Sequence, residues 1–132
     1  MATDINCEGL AQTKALAQSI NPDATILTEA GDVTNESTVN QLIKLAVSKF
    51  GRLDYALNIA GELSKNLIPN LHSNISNAHN RTRAGITGAQ NKISLLKLED
   101  YDAVQHINAR AVWLCERAEI AQMLAQEPLP SQ

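Results

Sequence analysis

Aromatic side chains are scarce: one Trp, two Tyr and one Phe in 132 residues, 3% of the chain. A core without them has to be assembled from Leu, Ile, Val and Ala. Cysteine is nearly absent too. Cys7 and Cys115 stand alone, with no Cys-x-x-Cys spacing and no His in metal-ligand register, which argues against a disulfide framework or a zinc site and fits reduced thiols in the cytoplasm. No basic excess exists either: the net charge is -3, so the electrostatic footprint of a nucleic-acid or anionic-lipid binder is missing. The one close basic pair, Arg81 and Arg83, reads as part of a solvated loop. No apolar run approaches the roughly 20 residues that cross a bilayer. Met1 is followed by Ala-Thr-Asp rather than by a charged and then apolar stretch, so no secretory signal is expected. The Asn-x-Ser/Thr matches at Asn35, Asn74 and Asn80 therefore carry no weight.

What is present is ordinary for a soluble globular chain, 44% hydrophobic and 19% charged, and long enough for one modest core. Glu8–Ile20 predicts a helix with Leu10, Thr13, Ala17 and Ile20 on one side, stopped at Asn21-Pro22. Residues 24–30 are short and carry β-branched side chains, which predicts a buried strand. Gly31-Asp32-Val33-Thr34 breaks it, with Thr34 placed to cap the next helix. Over 35–50 the residues Val39, Leu42, Ile43, Ala46, Val47 and Phe50 fall on one helical stripe, closed by Gly51. Leu53–Asn58 is a second strand candidate, leading into Ala60-Gly61.

From Glu62 to 84 the sequence turns to Asn, Ser, His and Arg without any period, as loops and disordered segments do. Residues 99–125 then predict one long helix with Tyr101, Val104, Ala111, Val112, Cys115 and Ala118 along a face, before Pro128 and Pro130. His72 and His79 lie in the aperiodic stretch and His106 on the outside of the long helix, so none is assigned a metal or catalytic role. The alternation of strand and helix argues for a single α/β domain around a parallel sheet. Ligands of such sheets bind beyond the carboxyl ends of the strands. Asp4, Asp32-Val33 and Asn58-Ile59-Ala60-Gly61 hold those positions. On the residues alone Asp4 is an exposed carboxylate near the terminus, Asp32 a helix-start residue and Asn58–Gly61 a plain turn.

Four motifs in order carry a resemblance to the short-chain dehydrogenase/reductase family. Asp4-Ile5-Asn6 with Glu8-Gly9-Leu10 is similar to the end of the family's second strand and the helix after it. Gly31-Asp32-Val33-Thr34 resembles its Asp-Val motif, and Asn58-Ile59-Ala60-Gly61 its Asn-Asn-Ala-Gly motif with Ile in second place. Asp100-Tyr101-Asp102 with Ile107-Asn108-Ala109 resembles the helix of the catalytic Asn. The likeness covers residues 1–61 and about 85–130.

The resemblance implies a partial Rossmann-type, doubly wound parallel sheet and an NAD(P)-dependent oxidoreductase that passes hydride between nicotinamide and a small alcohol or carbonyl substrate. It places Asp4 on the adenosine ribose, where its charge would repel a 2′-phosphate and so favour NAD over NADP. Asp32 and Val33 would flank the adenine, and Asn58, Ala60 and Gly61 would lie along the cofactor's inner side. Asn108 would belong to a proton relay; it also stands on the stripe of Val104, Ala111 and Cys115, where an apolar side chain is expected. A satisfied core amide is the alternative at that position. The homo-oligomer typical of the family would use the helices at 35–50 and 99–125.

Two departures bear on activity. The family's glycine-rich turn would precede Asp4, and its Ser with Tyr-x-x-x-Lys would follow the long helix; no Tyr in these residues precedes a Lys by four positions. In the strand order 3-2-1-4-5-6 the strand at 25–30 is third and that at 53–58 fourth, so the first and most of the second are expected to be missing from between them. Two strands would then lose ladder partners, and the chain is expected to be marginal or unfolded. The extra stretch 62–84 separates Asn58–Gly61 from Gly85-Ile86-Thr87-Gly88, which the family would join directly; it reads as an insertion, a retained intron in origin, which sequencing the mature transcript decides. The rival to an oxidoreductase fragment is a non-catalytic chain that binds nucleotide or pairs with a relative through the long helix.

Overall fold

Ala2–Asp4 forms a short strand, β1, that pairs in parallel with β2 (Thr28–Ala30), in the register Ala2↔Thr28, Thr3↔Glu29 and Asp4↔Ala30. The computed structural model describes residues 1–59, 93–95 and 97–129. The chain divides into one compact unit of Met1–Asn58 with Trp113–Gln132 and another of Ile59–Val112. The ladder belongs to the first. Three residues of the second strand are thus enough to pair with the third, and main-chain bonds at both ends extend the pairing: Ala2 N donates to Leu27 O at 2.9 Å and Gly31 N to Asp4 O at 3.1 Å. β2 is shorter than the predicted 24–30 because only Thr28–Ala30 stand opposite β1.

Between the strands runs α1 (Cys7–Ile20), which packs on both of them. Asn6 caps it, accepting from Gly9 N at 3.0 Å and so satisfying a donor that has no partner within the helix. Asn21 ends it in extended geometry, as the residue before Pro22 must. Its inward row is Leu10, Lys14 and Ala17; Thr13 is exposed, and Ile20 is 77% exposed, against the expected stripe. The reason is length. Fourteen helical residues span about 21 Å and three strand residues about 10 Å, so the last turns of α1 have no sheet beneath them.

α2 (Glu36–Phe50) follows the predicted stripe, with Val39, Leu42 and Ala46 buried. Its cap is Asn35 rather than Thr34: Asn35 Oδ1 accepts from Ser37 N at 2.9 Å. Thr34 is engaged instead in a turn closed by Asp32, whose Oδ1 accepts from Thr34 N at 2.9 Å and from its hydroxyl at 2.7 Å. Gly51 takes φ 83°, the left-handed conformation in which its N–H caps Val47 O at 2.7 Å. Gly31 is required for another reason. A β-carbon there would stand 2.9 Å from Thr38 Cγ2 and 3.1 Å from Leu42 Cδ1, so its bareness lets α2 approach the sheet edge.

The predicted helix at 99–125 is three elements. α3 (Leu98–Gln105) leads into a π-helical turn, His106–Ala111, and α4 (Val112–Leu124) follows. In the second unit, Ala111 is fully buried and Tyr101 is 52% exposed, so the apolar stripe does not extend to Tyr101. In the first, Leu114 and Cys115 of α4 pack with Val39 of α2 as a buried cluster, joined by the half-buried Val33 and Ala118. Arg117 of α4 adds an ion pair to Glu36 of α2 and lies 4.9 Å from the centre of the Trp113 ring.

Leu53–Asn58 departs from expectation: it forms no ladder. Among the described residues no strand runs beside it. The main-chain groups of Leu53 bond to a side chain instead, that of Gln126, with Leu53 N donating to Oε1 at 2.6 Å and Nε2 donating to Leu53 O at 2.9 Å. One amide therefore stands in for a strand neighbour at that residue. Tyr55 and Leu57, where a ladder partner's side chains would pack, are 91% and 85% exposed.

Candidate functional site

The parallel register decides what lies at the sheet's carboxyl edge. Asp4 ends β1 opposite Ala30, and Gly31-Asp32-Val33 leaves β2 at the same edge. Both Asp4 and Asp32 are exposed there. One oxygen of Asp4 accepts from Asn6 N at 2.8 Å, which turns the carboxylate towards the start of α1. Asp32 is held by its bonds to Thr34. Val33, expected beside the adenine, is half-buried against the cluster of Val39, Leu114 and Cys115.

Asn58 is also fixed. Its Nδ2 donates to Glu119 Oε2 of α4 at 2.9 Å, and both residues are half-buried. Asn108 is half-buried in the π-helical turn of the second unit. Turns of that kind inside helices concentrate at functional positions. His106 is exposed, as expected. Ala60, Gly61, His72, His79, Arg81, Arg83, the stretch 62–84 and Gly85–Gly88 lie outside the described residues. The first unit thus brings Asp4 and Asp32 to one sheet edge and holds Asn58 against α4.

Glu119 and Gln126 were not legible as site-forming residues in the sequence. Their signal is a polar row at the spacing i, i+3 and i+7, with Glu119 and Gln122 on α4 and Gln126 just past its end; all three are half-buried, and Gln122 Nε2 reaches Gln126 Oε1 at 3.4 Å. A polar row that faces protein rather than water needs acceptors and donors opposite it. Leu53 and Asn58 supply them.

Burial pushes the Cys115 thiol above its ordinary value of 9.0, and the charges of Glu119 and Glu116 push the same way. The unfolded thiol therefore ionises before the folded one. Its contribution to stability is complete below pH 9.0 and is lost as pH rises from there through the folded value. Cys115→Ala is expected to flatten the alkaline fall in stability, read from urea melts on either side of pH 9.0. Equal slopes in the two proteins would remove this account.

Among the described residues no group of His, Cys, Asp and Glu could hold a metal ion, and no helix is long and apolar enough to cross a membrane. A family model described as enoyl-(acyl carrier protein) reductase matches residues 1–82. Levodione reductase of Leifsonia aquatica is 30% identical over 111 residues, 84% of this chain and 33% of the relative. The crystal structure of a levodione reductase superposes with a TM-score of 0.71 at 28% identity, over 92% of this chain and 38% of that one. NAD+-bound xylitol dehydrogenase shares the fold, with a TM-score of 0.65 at 21% identity over 92% of this chain and 37% of that one. The fold is that of a partial Rossmann-type α/β domain. The chain belongs to the short-chain dehydrogenase/reductase family. It spans about a third of the length of the levodione reductase it matches.

Proposed function

We propose that this chain carries the adenosine side of a nicotinamide-dinucleotide site, within an oxidoreductase that acts on a small alcohol or carbonyl compound. The observation that carries the reading is the parallel register, which sets two exposed carboxylates, Asp4 and Asp32, at the carboxyl edge of one sheet. The residues fit the group: Asp4 has a second carboxylate oxygen for the ribose hydroxyls, and Asp32 would accept from the adenine amino group. Val33, Asn58, Ala60 and Gly61 would line the cofactor beyond it. When bound, the nicotinamide supplies hydride transfer. Asn108 would anchor a proton relay, and the Ser, Tyr and Lys that complete such a relay in the family do not occur here as Tyr-x-x-x-Lys.

Titration with NADH, followed by cofactor fluorescence, tests this. Saturable binding without turnover of a carbonyl substrate is the expected result, and no binding at all would overturn it. A second reading has its own observation. Trp113, Ile120 and Leu124 of α4 are 55%, 54% and 80% exposed, an apolar row that suits pairing with a full-length relative or a second copy. Co-purification with an intact dehydrogenase in the absence of NADH binding would favour that reading.

A further inference from the structure

We infer that Glu119 is a positioning residue that fixes the side-chain amide of Asn58, and so sets which polar atom Asn58 presents on the side away from α4. The inference rests on the reading of Asn58 as part of the cofactor site. Contacts at both ends run the segment opposite in direction to α4 and the residues just after it: Leu53 meets Gln126, and Asn58 meets Glu119. The Gln126 clamp sets where the segment begins along the helix. The Glu119 bond sets how the last side chain is turned.

Chemistry makes the second bond directional. An ionised carboxylate only accepts, so it takes the NH2 end of the Asn58 amide and leaves the carbonyl oxygen on the opposite side of the fork. With the ends exchanged, two oxygens would face each other at the 2.9 Å of this contact. The charge is felt locally, since Glu119 also opposes ionisation of Cys115 one turn earlier on α4. Asn58 and Glu119 are both half-buried and 61 residues apart, so the contact is a tertiary one and not a local turn.

The test uses three chains: parent, Glu119→Gln and Glu119→Ala. Two readouts apply, the side-chain amide resonances of Asn58 in nitrogen–proton spectra and the affinity for NADH. Glu119→Gln keeps an acceptor oxygen at the same reach but loses the charge and gains a donor, so it is expected to move the Asn58 signals and weaken NADH binding less than Glu119→Ala does. Glu119→Ala is expected to move the Asn58 amide signals to the position of a solvated amide and to weaken NADH binding about tenfold, the effect of losing a charged hydrogen bond. Partial rescue by Gln separates orientation of the amide from loss of folded structure. Should Glu119→Ala fail to fold, Glu119→Asp, with its carboxylate one methylene short, is expected to displace the same signals. Unmoved Asn58 signals in the variant that removes or withdraws the acceptor overturn the contact. Moved signals with unchanged NADH affinity overturn the link to the cofactor. Absence of NADH binding in the parent overturns the proposed function and that link together, while the amide spectra still decide the contact.

Discussion

Leu114→Ala is expected to remove about half or more of the stability of the first unit, a loss of about 2–5 kcal/mol. Leu114 is 3% exposed and sits in the cluster with Val39 and Cys115 that joins α2 to α4. Truncating a buried leucine costs about 2–5 kcal/mol, because the lost transfer energy is joined by the cavity left behind. Whole domains are stable by only about 5–15 kcal/mol. This unit should lie at the low end of that range: its sheet has two strands of three residues, and β2 and Leu53–Asn58 lack further ladder partners among the described residues. The control is on the same helix. Leu124→Ala removes the same atoms from a side chain that is 80% exposed, and is expected to change stability by less than about 0.5 kcal/mol. Urea melts followed by near-ultraviolet dichroism of Trp113 compare the two. Equal midpoints would show that the α2–α4 cluster is not what holds the unit together.

The second large effect concerns cofactor choice. Asp4→Ser is expected to narrow a preference for NADH over NADPH by about ten- to thirtyfold. Two unit charges about 4 Å apart interact by about 1 kcal/mol at the dielectric of water, the setting suited to an exposed carboxylate. A phosphate carrying about two charges doubles that, and 1.4 kcal/mol is a factor of ten. Serine is the apt replacement because its hydroxyl can still accept from Asn6 N, the bond that Asp4 makes at 2.8 Å, so the turn into α1 survives. Paired titrations with NADH and NADPH measure the ratio. A ratio unchanged by the substitution would take Asp4 out of the ribose site.

Sequence and structure agree most closely where a signal is local. The stripe from Val39 to Val47 with Gly51 closing the helix, and the stop at Asn21-Pro22, needed only helical spacing and backbone chemistry, and both ends fell within a residue of expectation, though Phe50 at the end of the stripe is exposed. The four motifs likewise led to the family before any fold was known. What failed depended on partners far along the chain. Ile20 continues the pattern of α1 but overhangs strands whose length the pattern does not encode. Leu53–Asn58 has the composition of a strand, yet a ladder needs a neighbour, and here Gln126 takes that place for one residue. Thr34 does not cap α2, since its hydroxyl is bonded to Asp32 and Asn35 takes the cap. Glu119 and Gln126 carry no signal of their partners in the sequence, because Asn58 and Leu53 lie 61 and 73 residues away.

The clamp on Leu53 also sets an order of events during synthesis. Its two main-chain groups are 73 residues upstream of the side chain that satisfies them. A ribosome adding about 5–20 residues per second takes roughly 4–15 s to cover that distance. For those seconds α2 can cap itself at Asn35 and Gly51, and β1 can pair with β2, since both need only residues already made. Leu53 must wait with water as its partner. The segment bearing Asn58 is therefore the last part of the first unit to be fixed in a growing chain, and Gln126, two residues past the end of α4, is what fixes its start.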